Sequence, residues 1–129
     1  MTTKVFCVTL DCHDPVALAE FWKTALSYDV DLHWAEHGEV SLTDPTGEGP
    51  MLLFMKVPES KAVKNRMHLD LKPDTRMDVE VERLVAAGAT EMWTLVDPDG
   101  YDEPWTWTVL QDPEGNEFCV GEMLSERTG

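Results

Sequence analysis

One turn sequence occurs twice in this chain, and the repetition limits what it can fold into. Asp44-Pro45-Thr46-Gly47 reappears sixty-eight residues later as Asp112-Pro113-Glu114-Gly115, each time as a polar break between two β-forming runs. The residues ahead of each turn also follow one order. Lys4 to Leu10 (KVFCVTL) is rich in β-formers, and Asp14-Pro15 supplies an N-cap with proline at the first helical position. Leu18, Phe21, Trp22, Ala25 and Leu26 then recur at three- and four-residue steps, which predicts a helix from Val16 to Tyr28. Strands are expected near 30–34, 38–43 and 51–57. A polar, proline-containing connection, 58–65, follows, and the pattern restarts. Residues 66–72 alternate as a strand, Met77, Val81, Leu84 and Val85 mark a helix closed by Gly88, and strands are expected near 91–96, 105–111 and 116–123.

The residues therefore spell β-α-β-β-β twice, an α+β chain with module one at about 4–57, module two at about 66–123 and a tail at 124–129. At 129 residues the whole is one domain long. Two such units, each with a helix on one sheet face, leave the opposite face bare as a trough fit for a ligand.

Charge narrows the partners. Ten Lys and Arg against twenty-five Asp and Glu give a net charge of −15, which repels a phosphate backbone and an anionic bilayer alike. Nucleic acid and membrane are excluded as expected partners. The opening Met1-Thr2-Thr3-Lys4 lacks the apolar core of a secretory leader. Cys7, Cys12 and Cys119 are odd in number and widely spaced, unlike a disulfide framework. A reducing cytoplasm is the expected setting.

Several segments together resemble a known family. Leu10-Asp11-Cys12-His13-Asp14-Pro15 with Leu18-Ala19-Glu20-Phe21-Trp22, Ser41-Leu42-Thr43-Asp44-Pro45, Asn65-Arg66-Met67-His68-Leu69-Asp70-Leu71, and Trp107 through Cys119 (WTVLQDPEGNEFC) resemble the glyoxalase-like branch of the vicinal oxygen chelate superfamily. That superfamily includes glyoxalases, bleomycin resistance proteins and extradiol dioxygenases. The resemblance covers nearly the whole chain. It implies two modules whose strands form an open, curved, eight-stranded incomplete barrel with helices on the outer face. It also implies a homodimer.

Catalytic relatives hold a divalent metal with His, Gln or Glu from the first and last strands of each module. By that resemblance the first-strand positions fall on Cys7 and His68, and the last-strand position of module two falls on Cys119. Met51 to Val57 offers no carboxylate, imidazole or thiol. Cys7, His68 and Cys119 are the candidate ligands, a set suited to zinc. A buried free cysteine also behaves as a small hydrophobe, so the expectation is no cofactor, with zinc as the alternative.

Strand alternation puts His68, Asp70 and Lys72 on one face and groups Cys7, Thr9 and Asp11 likewise. Trp105 and Trp107 share a face of their own strand, for which trough lining and sheet core are both open, and Trp22 on the helical stripe is core. Indoles provide broad π surface, and an acidic molecule attracts cations. The expected ligand is an aromatic or cationic small molecule held near His68, Asp70, Thr9, Trp105 and Trp107. A loop from Asp97 to Pro104 is placed to act as a lid. The expected function is sequestration. The alternative is a metal-dependent lyase, isomerase or dioxygenase using Cys7, His68 and Cys119 with Glu117 or Asp70 as base. Catalytic residues are not assigned.

Overall fold

The structure, a computed structural model, describes residues 2–99 and 103–125. The chain divides into two units, Met1–Ala62 and Val63–Gly129, each a four-stranded mixed sheet with one helix. In the first unit, β1 (Cys7–Cys12) leads into α1 (Pro15–Leu26), followed by β2 (Asp29–Asp31), a 3₁₀ turn at Ala35–His37, β3 (Glu39–Thr43) and β4 (Met51–Lys56). The second unit runs β5 (Asp70–Leu71), α2 (Met77–Ala87), β6 (Thr90–Asp97), β7 (Trp105–Gln111) and β8 (Glu117–Met123). Strand orders are β1-β4-β3-β2 and β5-β8-β7-β6. In both, the first strand lies parallel to the last and all other neighbours are antiparallel. The α+β class and the two β-α-β-β-β modules are thus as expected.

The first module's core follows from period-two alternation. Val40 and Leu42 on β3 and Leu52 and Phe54 on β4 are buried, and α1 packs against β2, β3 and β4 through Leu18, Ala19, Phe21 and Trp22. Trp22, 1% exposed, is core as expected. The Asp14 carboxylate caps α1 by accepting the Ala17 N–H at 3.1 Å.

The second module caps its helix differently. Arg76 at the N-cap makes no side-chain cap bond; instead Glu122, reaching from β8, accepts the Met77 N–H on Oε2 at 3.0 Å. That carboxylate is buried at 3% exposure, and it satisfies one of the N–H groups that a helix start leaves without an intrahelical partner. Met77, Val81 and Leu84 bury the face α2 turns to the sheet, against Thr106 and Thr108 on β7 and Phe118 and Val120 on β8.

Several expected boundaries move. The first helix ends at Leu26 rather than Tyr28, because Ser27 takes the left-handed conformation (φ 56). The strand expected at 30–34 stops at Asp31, whose carboxylate turns the chain by accepting the His33 N–H at 2.8 Å. Trp34 therefore lies on no strand and is 53% exposed. The first strand starts at Cys7, not Lys4. The strand expected over 66–72 shrinks to Asp70–Leu71. Pro73 cannot donate to a ladder, and Asn65 is held by side chains instead: its N–H donates to Glu117 Oε2 at 3.0 Å, and its side-chain amide donates to Asn116 Oδ1 at 3.1 Å.

Glu122→Ala removes a buried acceptor and strands the first N–H of α2. It is expected to lower stability by about 1–3 kcal/mol, with Glu122→Gln losing less because its amide oxygen still accepts. Urea unfolding followed by far-ultraviolet circular dichroism measures this; equal stability of Glu122→Ala and the parent would refute the capping role.

Candidate functional site

Alternation on β7 and β8 sorts two faces. Thr106, Thr108, Phe118, Val120 and Glu122 face α2, as the contacts of Met77 with Glu122 and with Thr108 Oγ1 show. Trp105, Trp107, Val109, Glu117, Cys119 and Gly121 point the other way, into a trough of about 730 Å³. That volume lies within the range of small-molecule sites. The strand registers set its floor in rows: Asp97, Trp105 and Met123; Leu95, Trp107 and Gly121; Trp93, Val109, Cys119 and Asp70. Four strands at their usual spacing make the sheet roughly 14 Å wide.

Trp93 reaches this face through a bulge. Glu91 pairs with Leu110 and Trp93 with Val109, so the register shifts between them. Regular alternation through Met92 would put Trp93 on the same face as Glu91, the helix side. The bulge turns it and Leu95 toward the trough, where they remain 48% and 43% exposed.

On the β5 side, His68 Nδ1 lies 2.9 Å from Asp70 Oδ1, with the two side chains 39% and 70% exposed. Cys119 completes a cluster in which one donor atom each from His68, Asp70 and Cys119 lies within 4.8 Å of the others. Burial, and then the Asp70 carboxylate, pushes the Cys119 thiol up to about 11, with Lys64 acting in the opposite direction. Lys64 and Lys72 also line the trough, against the carboxylates of Asp70, Asp97 and Glu117.

Of the residues singled out in the sequence, His68, Asp70, Trp105, Trp107 and Cys119 thus share one trough. Thr9 and Cys7 stand on β1 of the first module, with Cys7 Sγ 3.6 Å from Thr9 Oγ1. Their place follows from the repeat. Leu42 pairs with Leu52 as Leu110 pairs with Phe118, and Thr9 pairs with Leu53 as Asp70 pairs with Cys119. Cys7, Thr9 and Leu53 are therefore the first module's counterparts of His68, Asp70 and Cys119. Leucine ends any donor set there. Trp93, Lys64 and Gly121 were missed in the sequence: the bulge has no sequence signature, whereas a glycine inside a strand is a readable signal. The centre of the expected lid, Gly100 to Asp102, lies outside the described residues.

A metal on this face would draw on the His68 imidazole, the Asp70 carboxylate and the Cys119 sulfur. Nitrogen, oxygen and thiolate donors with a vacant position fit zinc, and sulfur fits manganese or magnesium poorly. Binding would also have to displace the thiol proton that burial favours.

Residues 7–121 match the family model described as a glyoxalase-like domain. Among curated proteins none matches. A glyoxalase/bleomycin resistance protein/dioxygenase family enzyme from Burkholderia phytofirmans PsJN has a similar structure, with TM-score 0.71 and 22% identity over 92% of this chain and 98% of that one. A mutant of the fosfomycin resistance protein FosX from Listeria monocytogenes, complexed with Mn(II) and 1S,2S-dihydroxypropylphosphonic acid, gives 0.73 and 16% over 98% and 96%. A glyoxalase-related enzyme from Fulvimarina pelagi gives 0.67 and 18% over 93% and 88%. At such identities these structures speak for the fold alone. No helix among the described residues is long and apolar enough to cross a membrane.

The Cys119 thiol sets a pH expectation. Near pH 8 its thiolate fraction should be about 100-fold below that of an unperturbed thiol, so iodoacetamide should label it slowly, at a rate still climbing between pH 9 and about 11. The folded chain keeps this proton after the unfolded chain has lost it, so stability should fall as pH rises through that window. Peptide mass spectrometry of the alkylated protein reports the rate; labelling at the speed of a free cysteine peptide contradicts the account.

Proposed function

Because the chain belongs to the glyoxalase-like domain family of the vicinal oxygen chelate superfamily, a scaffold that carries both catalysts and binding proteins, we propose that it binds and sequesters a flat, cation-bearing aromatic molecule. One observation carries the reading: Trp93, Trp105 and Trp107 line one trough together with the carboxylates of Asp70, Asp97 and Glu117. Indole faces attract cations by roughly 0.5–2 kcal/mol each. Covering about 200 Å² of apolar ligand surface contributes roughly 5 kcal/mol more. Ligand contact is assigned to His68, Asp70, Trp105 and Trp107, with Trp93 added; Thr9 is not needed for it. The working form is a homodimer in the cytoplasm.

The charge argues against a phosphonate such as the one named in the FosX complex. A net charge of −15 repels a dianion on approach, and the trough adds three carboxylates to two ammonium groups.

Titration calorimetry with proflavine, a planar cation, tests this. We expect saturable one-site binding, weakened by salt, stronger than that of acridine-9-carboxylate, and at least about tenfold weaker in Trp107→Ala. Equal affinity for the anion and the cation would sink the reading.

The cluster of His68, Asp70 and Cys119 within 4.8 Å favours a second reading, a zinc-dependent lyase, isomerase or dioxygenase. Zinc there would act as a Lewis acid toward a substrate oxygen, and Glu117, bordering the same trough, is the nearby candidate base. Elemental analysis of untagged protein should then find stoichiometric zinc that His68→Ala removes; metal-free parent protein after purification in zinc-supplemented medium disposes of this reading.

A further inference from the structure

Gly121 interrupts the middle of β8, opposite Trp107, where glycine weakens a strand because it adds backbone freedom and packs nothing. Three circumstances call for glycine at such a point: a left-handed backbone, crowding by the protein itself, or close approach by something else. The first does not apply. The described glycines with positive φ are Gly38, Gly47, Gly88 and Gly115, and Gly121 is not among them.

Crowding does not apply either. A Cβ on Gly121 would stand 3.4 Å from the Thr106 carbonyl oxygen, 3.4 Å from Trp107 Cβ and 3.7 Å from Trp105 Cε3, all ordinary contacts. Gly49 shows the contrast, since a Cβ there would fall on the Tyr28 hydroxyl. The repeat gives an independent control. By strand register Met55 is the first module's counterpart of Gly121, pairing with Glu39 as Gly121 pairs with Trp107. The same scaffold position accepts a long side chain.

Close approach remains. The bare backbone at Gly121 forms the trough floor beside Trp105 and Trp107, with Cys119 along the strand and Lys72 on the β5 side. We infer that the ligand's ring system lies directly on the β8 backbone at Gly121, which makes Gly121 a specificity-determining residue and the ligand a fused planar ring rather than a bulky saturated framework. The inference rests on the trough being the binding site, but not on the charge of what binds there.

Three probes with one ring system separate the two: proflavine as cation, acridine as neutral ring and acridine-9-carboxylate as anion, each titrated near neutral pH into parent protein, Gly121→Ala, Gly121→Val and Trp107→Ala. Gly121→Ala is expected to melt at the same temperature as the parent or higher, yet to bind at least about tenfold more weakly, with Gly121→Val abolishing binding. The Gly121 amide should also shift in nitrogen–proton correlation spectra of the parent. A folded Gly121→Ala that binds like the parent, while Trp107→Ala weakens binding, overturns this inference and leaves the proposed function standing. Acridine or its carboxylate binding at Gly121 without proflavine supports it and overturns the cationic reading. If none of the three probes binds the parent, both fall. Should Gly121→Val fail to fold, Gly121→Ala and the amide shift decide.

Discussion

The pairing of β5 with β8 is the constraint on which the trough depends. β5 precedes α2 and β8 closes the module, so only a helical crossover brings them together in parallel. Two pairs, Asp70↔Cys119 and Leu71↔Val120, make up the ladder, which by itself is a small amount of hydrogen bonding. It is held from both ends. Upstream, the Cys119 N–H donates to the Leu69 carbonyl at 2.9 Å and Asn65 is bound to Glu117 and Asn116. Downstream, Glu122 on β8 grips the first turn of α2. A slip of one residue along this ladder would turn Asp70 away from Cys119 and dissolve the donor cluster.

The repeated turn performs the same task in each module. Asp44 accepts the Thr46 N–H at 2.8 Å and Asp112 the Glu114 N–H at 2.9 Å, while Gly47 and Gly115 bond back to the aspartate carbonyls at φ values of 77 and 87. The Thr46 hydroxyl, donating to Asp44 Oδ1 at 2.7 Å, and then the Thr46 and Gly49 N–H groups hold the Asp44 carboxyl below its usual range. The modules differ in what the turn connects. In the first the connection runs on through Glu48-Gly49-Pro50, whereas in the second Asn116 folds back onto Asp112 through its backbone and side-chain amides. The tighter turn begins β8 at Glu117, which can then anchor Asn65.

This division explains what was legible in the sequence. Turns, caps and helix stripes are local, so Asp14-Pro15, Gly88, and the faces of Leu18 with Trp22 and Met77 with Leu84 could be read directly. The apposition of His68, Asp70 and Cys119 was legible only in pairs, since alternation joins His68 to Asp70 and the family resemblance joins His68 to Cys119, while the β5–β8 pairing brings all three together. Trp93 was not legible, because its direction depends on a bulge at Met92, and strict alternation assigns it the opposite face. The length of β5 was also hidden, because Asn65 finds partners in a turn fifty residues away rather than in its neighbours.

Asp70 is where the two functional readings meet, and it cannot serve both in full. Its Oδ1 lies against His68 Nδ1, and its charge adds to burial in holding the proton on Cys119. A cationic ring over Trp107 gains from that negative charge while leaving thiol and imidazole as they are. Zinc would neutralise the carboxylate, strip the thiol and take over the imidazole, reversing all three relations. With the metal in place the trough would lose its attraction for a cation at the Asp70 edge. The two ligands thus make opposite demands on one carboxylate: an organic cation leaves the half-buried Cys119 thiol and the His68–Asp70 contact in place, whereas zinc would deprotonate the thiol as any thiolate ligand requires.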